Sequence, residues 1–393
     1  MANAYTDTSA IAGLVKTAYD RYVEFALRAT PMIRAVADKK PAQQAMPGSS
    51  VVFSLYNDLA AATSTLAETT DPDAVALPDV STVSVTLNEY GNAALATRKL
   101  ELFSLSDVDP AIADIIAFNM ADSLDTVAQT VLVGGSNVAY AGATATSTVT
   151  VTAAATIDSA DIRKVVAKLR SNKAVPRMGS LYWVGIHPEV SHDLRAESGS
   201  VGWRDTHAHT DASLGNLFAG TIGTYEGAFF VENPRMYSAK DGADQSTLAT
   251  TQVTVAGTSA GFTVGVASSS VIAQRAEVGD KIAGTNLASG AKIAAISTSG
   301  DTTTLTLSAA NTGAVSATTV LTVTPVTRVF RTIVAGKQAL AEAVAQEPGV
   351  VIGPVTDKLM RFRPIGWYGV LGWNRYREAA LYRIESGSSI AAL

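Results

Sequence analysis

The chain has 393 residues, no cysteine, a formal net charge of −5 and an apolar share of 47%, which is ordinary for a globular protein. At this length a fold buries about 75% of the surface its unfolded chain exposes, so no staples are needed; without cysteine, a disulfide framework and thiolate metal sites are both excluded. The acidic balance argues against a basic nucleic-acid reader, and no run reaches the roughly 18 apolar residues of a membrane span.

Lys16, Asp20, Arg21, Glu24 and Arg28 interrupt any secretory apolar region, so the chain reads as soluble and unexported. Residues 10–29 predict an amphipathic helix. Ile11, Leu14, Val15, Ala18, Tyr22, Phe25 and Ala26 recur at spacings of three and four, with Ser9 as cap and Pro31 at the exit. Residues 49–57 (SSVVFSLYN) predict a strand. Residues 82–97 predict another, in which Val83, Val85 and Leu87 alternate with Ser84, Thr86 and Asn88. Between them, 58–82 follows neither period and carries Pro72 and Pro78. A strand, a long polar tip and a strand describe an extended two-stranded arm. Loops of this length inside compact domains usually have a function, and this one has too few apolar residues to bury by itself.

Residues 107–133 predict the strongest helix. Asp107 or Asp109 can cap it, Pro110 suits its first turn, and Gly134-Gly135 stops it. Ile112, Ile115, Ile116, Met120, Leu124, Val127 and Val131 form its apolar stripe. At 1.5 Å per residue it is a rod of about 40 Å. A Thr/Val run at 144–156 reads as strand-like. A second helix is expected at 158–171 with Ile162, Val165, Val166 and Leu169 inward, then a buried strand at 181–187 (LYWVGIH), a short helix opened by Pro188, and a strand at 224–232 ended by Asn233-Pro234. Residues 199–220 have no clear period.

The composition shifts near residue 240. From 245 to 327 the only aromatic residue is Phe262, and the only charges are Arg275, Glu277, Asp280, Lys281, Lys292 and Asp301. Short Thr/Val/Ile runs alternate with Gly, Ser and Asn turns, which predicts an all-β module inserted over 241–327. A short helix is expected at 337–346. Sheet is expected over 355–385, where Trp367, Tyr368, Trp373, Tyr376 and Tyr382 gather.

The search for chemistry is negative. Phosphate-loop, dinucleotide-binding, zinc-protease and nucleophile-elbow patterns are all missing. His187, His192, His207 and His209, with Glu189, Asp193, Asp205 and Asp211 among them, offer imidazole and carboxylate groups that suit Zn²⁺. However, His187 and His192 are five apart, about 140° around a helix, and do not share a face. Local hydrogen bonding is the simpler reading. Glu101, Asp107 and Asp109 precede a long helix, where capping is the simpler role. Trp183, Trp203, Trp367 and Trp373 read as core aromatics. No catalytic, cofactor-binding or metal-ligating residue is assigned, and no cofactor is expected.

Several segments resemble one family of tailed-phage major capsid proteins, the group related to the coat of coliphages with virion-packaged RNA polymerase. They are "GIHPEVSHDLR" followed by "GWRD", "AGTIGTYEGAFFVENPR", "VFRTIVAGKQALAEA" and "GPVTDKLMRFRPIGWYGVLGWNRYREAALYRIESGSS". The resemblance runs through most of 1–240 and 328–393, and the insertion lies outside it. It implies an α+β chain with the shell fold of tailed-phage and herpesvirus capsids. The parts would be an N-arm (1–47), an E-loop (48–100), a peripheral domain (101–180) with spine helix 107–133, and an axial domain (181–240). The inserted β module (241–327), an axial return (328–354) and a peripheral return (355–393) would follow.

The resemblance also implies a non-enzymatic subunit of an icosahedral virion capsid, made in the bacterial host cytoplasm. It would assemble with itself into hexamers and pentamers and enclose double-stranded DNA without reading its sequence. It would meet portal, scaffolding or decoration proteins and no membrane. In the phage that gives this fold its usual name, a lysine on the E-loop is joined covalently to an asparagine of a neighbour. Here 48–97 contains no lysine and Lys99 sits at the base of the arm, so a shell without crosslinks is expected. The alternatives are the shell of a bacterial nanocompartment, a His/Asp metallohydrolase and a β-rich surface adhesin.

Overall fold

The computed structural model describes residues 31–41, 49–56, 59–63, 65, 68, 75–97, 108–142, 144–197, 221–353, 359 and 361–390. The helix expected at 10–29 and the aperiodic stretch 199–220 lie outside them. In chain order the first elements are strands β1 (Asp38–Pro41), β2 (Ser50–Leu55), β3 (Ser81–Thr86) and β4 (Asn88–Thr97), then helix α1 (Val108–Val133) and strand β5 (Val138–Tyr140). Helix α2 (Ser159–Ser171), strand β6 (Tyr182–Ile186), helix α3 (Pro188–Ala196) and strands β7 (Thr221–Tyr225), β8 (Ala228–Glu232) and β9 (Ser238–Asp244) follow. Next come β10 (Ala249–Val255), β11 (Thr263–Ala267), the short helix α4 (Val271–Arg275), β12 (Lys281–Ala283), β13 (Ile293–Ser299), β14 (Thr302–Leu307) and β15 (Val320–Thr324). The chain closes with β16 (Val326–Ala335), β17 (Leu340–Ile352), β18 (Phe362–Arg375) and β19 (Leu381–Ser386).

Two compact units emerge. One is built of Lys39–Thr126 with Glu342–Gly372, the other of Met32–Asp38, Val127–Ala341 and Trp373–Leu393. The first carries a sheet ordered β1-β17-β18-β4 and the separate ribbon β2-β3. Strand β18 pairs with β4 over ten residues, from Phe362↔Thr97 to Leu371↔Asn88. On this sheet the Trp367 indole donates to Asn119 Oδ1 at 3.0 Å, so its one polar atom is satisfied where the ring is buried.

The second unit is organised on a sheet ordered β5-β19-β16-β6-β8-β7, with β9 also paired to β16. Its core joins Ile162, Val165, Val166 and Leu169 of α2 to Val190 and Leu194 of α3, over Val184, Phe230, Phe330, Val334 and Ile384 of the sheet. The spacing of three, one and three residues along α2 puts its four apolar side chains on one face. Asp158 caps that helix by accepting the Asp161 N–H at 2.8 Å.

Several sequence expectations need correction. The stretch 337–346 is not a helix: after Gly336 and a short turn it becomes β17, which buries Leu340 to Val344 without interruption. Its Ala and Leu residues favour a helix locally, but strand pairing buries all five positions, Glu342 among them, on both faces. The run 144–156 contains no strand; Thr148–Thr150 forms a single helical turn closed by Ser147 and Thr150. Residues 224–232 are not one strand but the ends of a hairpin, β7 and β8, turning at Glu226 and Gly227, both with positive φ. Among the α1 residues whose burial is described, the buried apolar positions are Ile116, Leu124, Ala128, Leu132 and Val133, while Ile115 is 49% exposed. That helix is apolar around much of its circumference, so periodicity alone did not single out the packed face.

Residues 245–325 form a structure of their own. Its strands run β12-β15-β10-β11-β14-β13, and a single bridge, Lys281↔Lys292, links β12 to the residue before β13. Val253, Val264, Val266, Ile272, Ile282, Ile293, Leu305, Leu307, Leu321 and Val323 fill its interior. Alternation in β14, where Thr303, Leu305 and Leu307 are buried and Thr302, Thr304 and Thr306 point outward, gives one apolar face and one hydroxyl face.

Candidate assembly surfaces

The ribbon β2-β3 pairs from Ser50↔Thr86 to Leu55↔Ser81. Because side chains alternate, Val51, Phe53 and Leu55 share a face with Val83 and Val85. Only Phe53 and Val85 on that face are buried. Beyond it, Tyr56 is 78% exposed, Val75 73% and Leu77 82%. A two-stranded ribbon is marginal by itself, and apolar side chains in the open suit a protein contact. The ribbon matches only part of the arm expected over 48–100: the single strand expected at 82–97 is two, β3 in the ribbon and β4 in the sheet with β18, so residues 88–97 are not part of it.

A second apolar surface lies in the same unit. Val350, Val351 and Ile352 at the end of β17 are exposed. Beside them Gly91, Gly353, Gly366, Pro364 and Trp367 line a hollow of about 360 Å³.

The residues considered for chemistry have structural roles where they are described. His187 is the N-cap of α3. Its Nδ1 accepts the Glu189 N–H at 3.3 Å, and its ring lies 4.8 Å from that of Phe330. Burial holds its pKa below the usual imidazole value. His192 is exposed beside Asp193, 3.4 Å away. Asp193 is buried and accepts the N–H of Ser389 at 3.0 Å and the Ser389 hydroxyl, which ties the C-terminal segment to α3. His207, His209, Asp205, Asp211, Glu101, Asp107 and Trp203 lie outside the described residues. Among the described residues no group of three His, Asp or Glu side chains could hold a metal ion. Trp183, Trp367 and Trp373 are each buried in the sheet that carries them.

Sequence reasoning missed a buried ion network. Glu385 of β19 is fully buried opposite Arg331 of β16. Its Oε1 lies 3.2 Å from Arg331 Nε and 2.9 Å from Arg383 Nε, and its Oε2 accepts the Thr148 hydroxyl at 2.6 Å. Two guanidinium groups and a hydroxyl are what a carboxylate needs to remain charged in a core. The same Arg383 donates to the carbonyls of Val133 and Gly135, and Arg375 to that of Val131 at 3.2 Å. Two cations thus meet the open carbonyls and negative dipole at the end of α1. The signal was present as charged residues at inward positions of apolar strands, in "VFRTIV" and "LYRIES".

Comparison with known proteins agrees with this picture. The phage capsid protein family matches residues 5–389, and the chain belongs to that family. Among solved structures, the capsid of cyanophage Pam1 aligns with a TM-score of 0.62 at 12% identity over 99% of this chain and 100% of that one. The capsid of Ralstonia phage GP4 aligns with 0.62 at 12% over 95% and 96%. The acid-stable capsid of Helicobacter pylori bacteriophage KHP30 aligns with 0.56 at 12% over 98% and 99%. No match was found among curated proteins. The fold is that of tailed-phage capsid shells, and the chain is a structural capsid protein and not an enzyme.

Proposed function

We propose that this member of the phage capsid protein family is the major capsid protein of a tailed double-stranded-DNA phage. Its affinity within the family would lie with the coats of coliphages that package an RNA polymerase. It would be made in the bacterial cytoplasm and assemble through hexamers and pentamers around the genome, in contact with a portal and with scaffolding or decoration proteins. The observation that carries the reading is the family match over 5–389 together with an arm whose apolar tip has no cover in its own unit. Closed symmetry turns many weak contacts into a stable shell, because each ring completed makes the next contact intramolecular.

Expression alone and with its co-encoded phage proteins, followed by sedimentation and negative-stain imaging, should give rings or shells far larger than the 40.7 kDa monomer. A monomer at all concentrations in both settings would count against the proposal. The size and contents of the particles would separate a DNA-filled capsid from an enzyme-filled nanocompartment. With no lysine in 48–97, mature particles should dissociate into single chains on a denaturing gel; a ladder of joined subunits would refute that part. We place the inserted β module on the outer face of the shell, where an insertion is least constrained by neighbours or by packed DNA.

A further inference from the structure

The module leaves its parent sheet through β9 and returns through β16, which pair from Ser238↔Phe330 to Asp244↔Val326. Alongside this stalk lies an open, polar crease of about 620 Å³, bordered by Lys240, Glu277, Asp280 and Arg328. Leu248, Pro325, Val326 and Ile390 also border it, but most of its exposed lining is polar. Two bodies joined by a small polar interface move relative to each other by default.

The charges of the module are not scattered over its surface. Of its six, Glu277, Asp280, Lys281 and Lys292 each end on β9 or β16. Lys240 Nζ lies 2.6 Å from Asp280 Oδ1 and 2.9 Å from Glu277 Oε2, and Arg328 lies 3.5 Å from the same Glu277 oxygen. Asp280 is only 1% exposed, and its carboxylate also accepts the N–H groups of Glu277 at 2.8 Å and Val326 at 3.3 Å. Lys281 reaches Asp244 at 2.6 Å. Lys292 reaches Asp241 at 3.0 Å and donates to the Lys240 carbonyl at 2.7 Å. Asp241 continues to Arg331 at 3.7 Å, and through it to buried Glu385. At Gly279 the loop comes so close to β9 that a Cβ would stand 2.9 Å from that of Lys240.

We infer that this belt of ion pairs locks the module in one orientation on β9 and β16. An exposed pair is worth little alone. Here the pairs lie on both sides of the stalk, share partners and end on two buried carboxylates, so tilting in either direction must separate charges, one of them desolvated. The module is therefore a rigid extension of its parent sheet, and every copy of the chain holds it at the same angle. This inference concerns the single chain and stands whether or not the chain forms a shell.

The absence of cysteine makes the test clean. Spin labels are placed on the full-length chain at Lys168→Cys on α2 and Ser299→Cys on β13, both exposed, and the distance distribution is measured by pulsed dipolar spectroscopy. The labelled parent should give one narrow distribution. Adding Lys240→Ala with Asp241→Ala should widen it roughly twofold, as expected of loosely joined bodies, while circular dichroism shows the folded state retained. An unchanged narrow distribution would overturn the inference, because the β9–β16 ladder alone would then hold the module. If that double variant does not fold, the exposed pair carries the test. Lys281→Asp or Asp244→Lys alone should widen the distribution, and the two combined should narrow it again; single variants without effect would equally overturn it.

Discussion

The arm β2-β3 and the module 245–325 are both excursions from a sheet, and they solve the burial problem in opposite ways. The module has an interior of its own, filled by Val253, Val264, Ile282, Leu305, Leu321 and their neighbours. The arm buries Phe53 and Val85 and leaves Tyr56, Val75 and Leu77 in the open. The difference separates a part whose apolar side chains are covered within the chain from a part that leaves several of them in the open.

The largest expected effect tests the incomplete part. Val75→Asp with Leu77→Asp should abolish particle formation, while the melting curve and circular dichroism of the subunit stay unchanged, since neither side chain contributes to the subunit's core. A full yield of particles from this variant would break the comparison.

The module should respond in the opposite sense. Leu305→Ala removes a fully buried side chain and should destabilise the module by about 3 kcal/mol. Calorimetry should place the loss in one transition and leave a second in place, with particles still forming. Loss of both transitions together would mean that the module shares its core with the parent sheet. In the same spirit, residues 245–325 replaced by a short Gly/Ser linker should still yield particles of the same diameter. The cut belongs there and not at 241–327, because Asp241, Asp244 and Thr327 lie in the paired strands β9 and β16.

The smallest effect concerns orientation. The Lys240 ammonium hydrogen-bonded to Glu277 holds that carboxyl below its ordinary 4.5. A depressed carboxyl stabilises the folded arrangement at pH above 4.5, and this contribution is lost as the pH falls through the lowered value. Acidification below pH 4.5 should therefore widen the label distance distribution between α2 and β13. Glu277→Gln should reduce that pH response. A distribution as narrow at acid pH as at neutral pH would remove Glu277 from the belt.

Much of the chain's local structure was legible. Asp158, Pro188 and the three- and four-residue spacing of Ile162, Val165, Val166 and Leu169 gave the two short helices to within a residue, since caps and periodicity act locally. Alternation exposed the ribbon's strands but ran on through 88–97, which pairs with β18 in another sheet, and composition exposed the insertion. The failures are equally physical. "GKQALAEAVA" contains good helix formers, yet tertiary pairing makes it a strand. The Thr/Val run at 144–156 has β propensity but forms no strand among the described residues. On α1, apolar residues on several sides left the buried face undetermined.

By itself the sequence determined which segments could be elements, that the arm could not bury its own apolar residues, that the inserted stretch was a β structure apart, and, through resemblance, which shell family to expect. Each follows from short-range spacing or from the amount of apolar side chain available to a segment. Only the tertiary structure decided what the charges do. Arg331, Arg383 and Glu385 are far apart from Thr148 in sequence, and Lys240 is forty residues from Asp280. Strand pairing brings them together, and the low dielectric around Glu385 and Asp280 then makes their partners obligatory. Spacing along a chain carries no record of that environment, because it exists only once the sheets have formed.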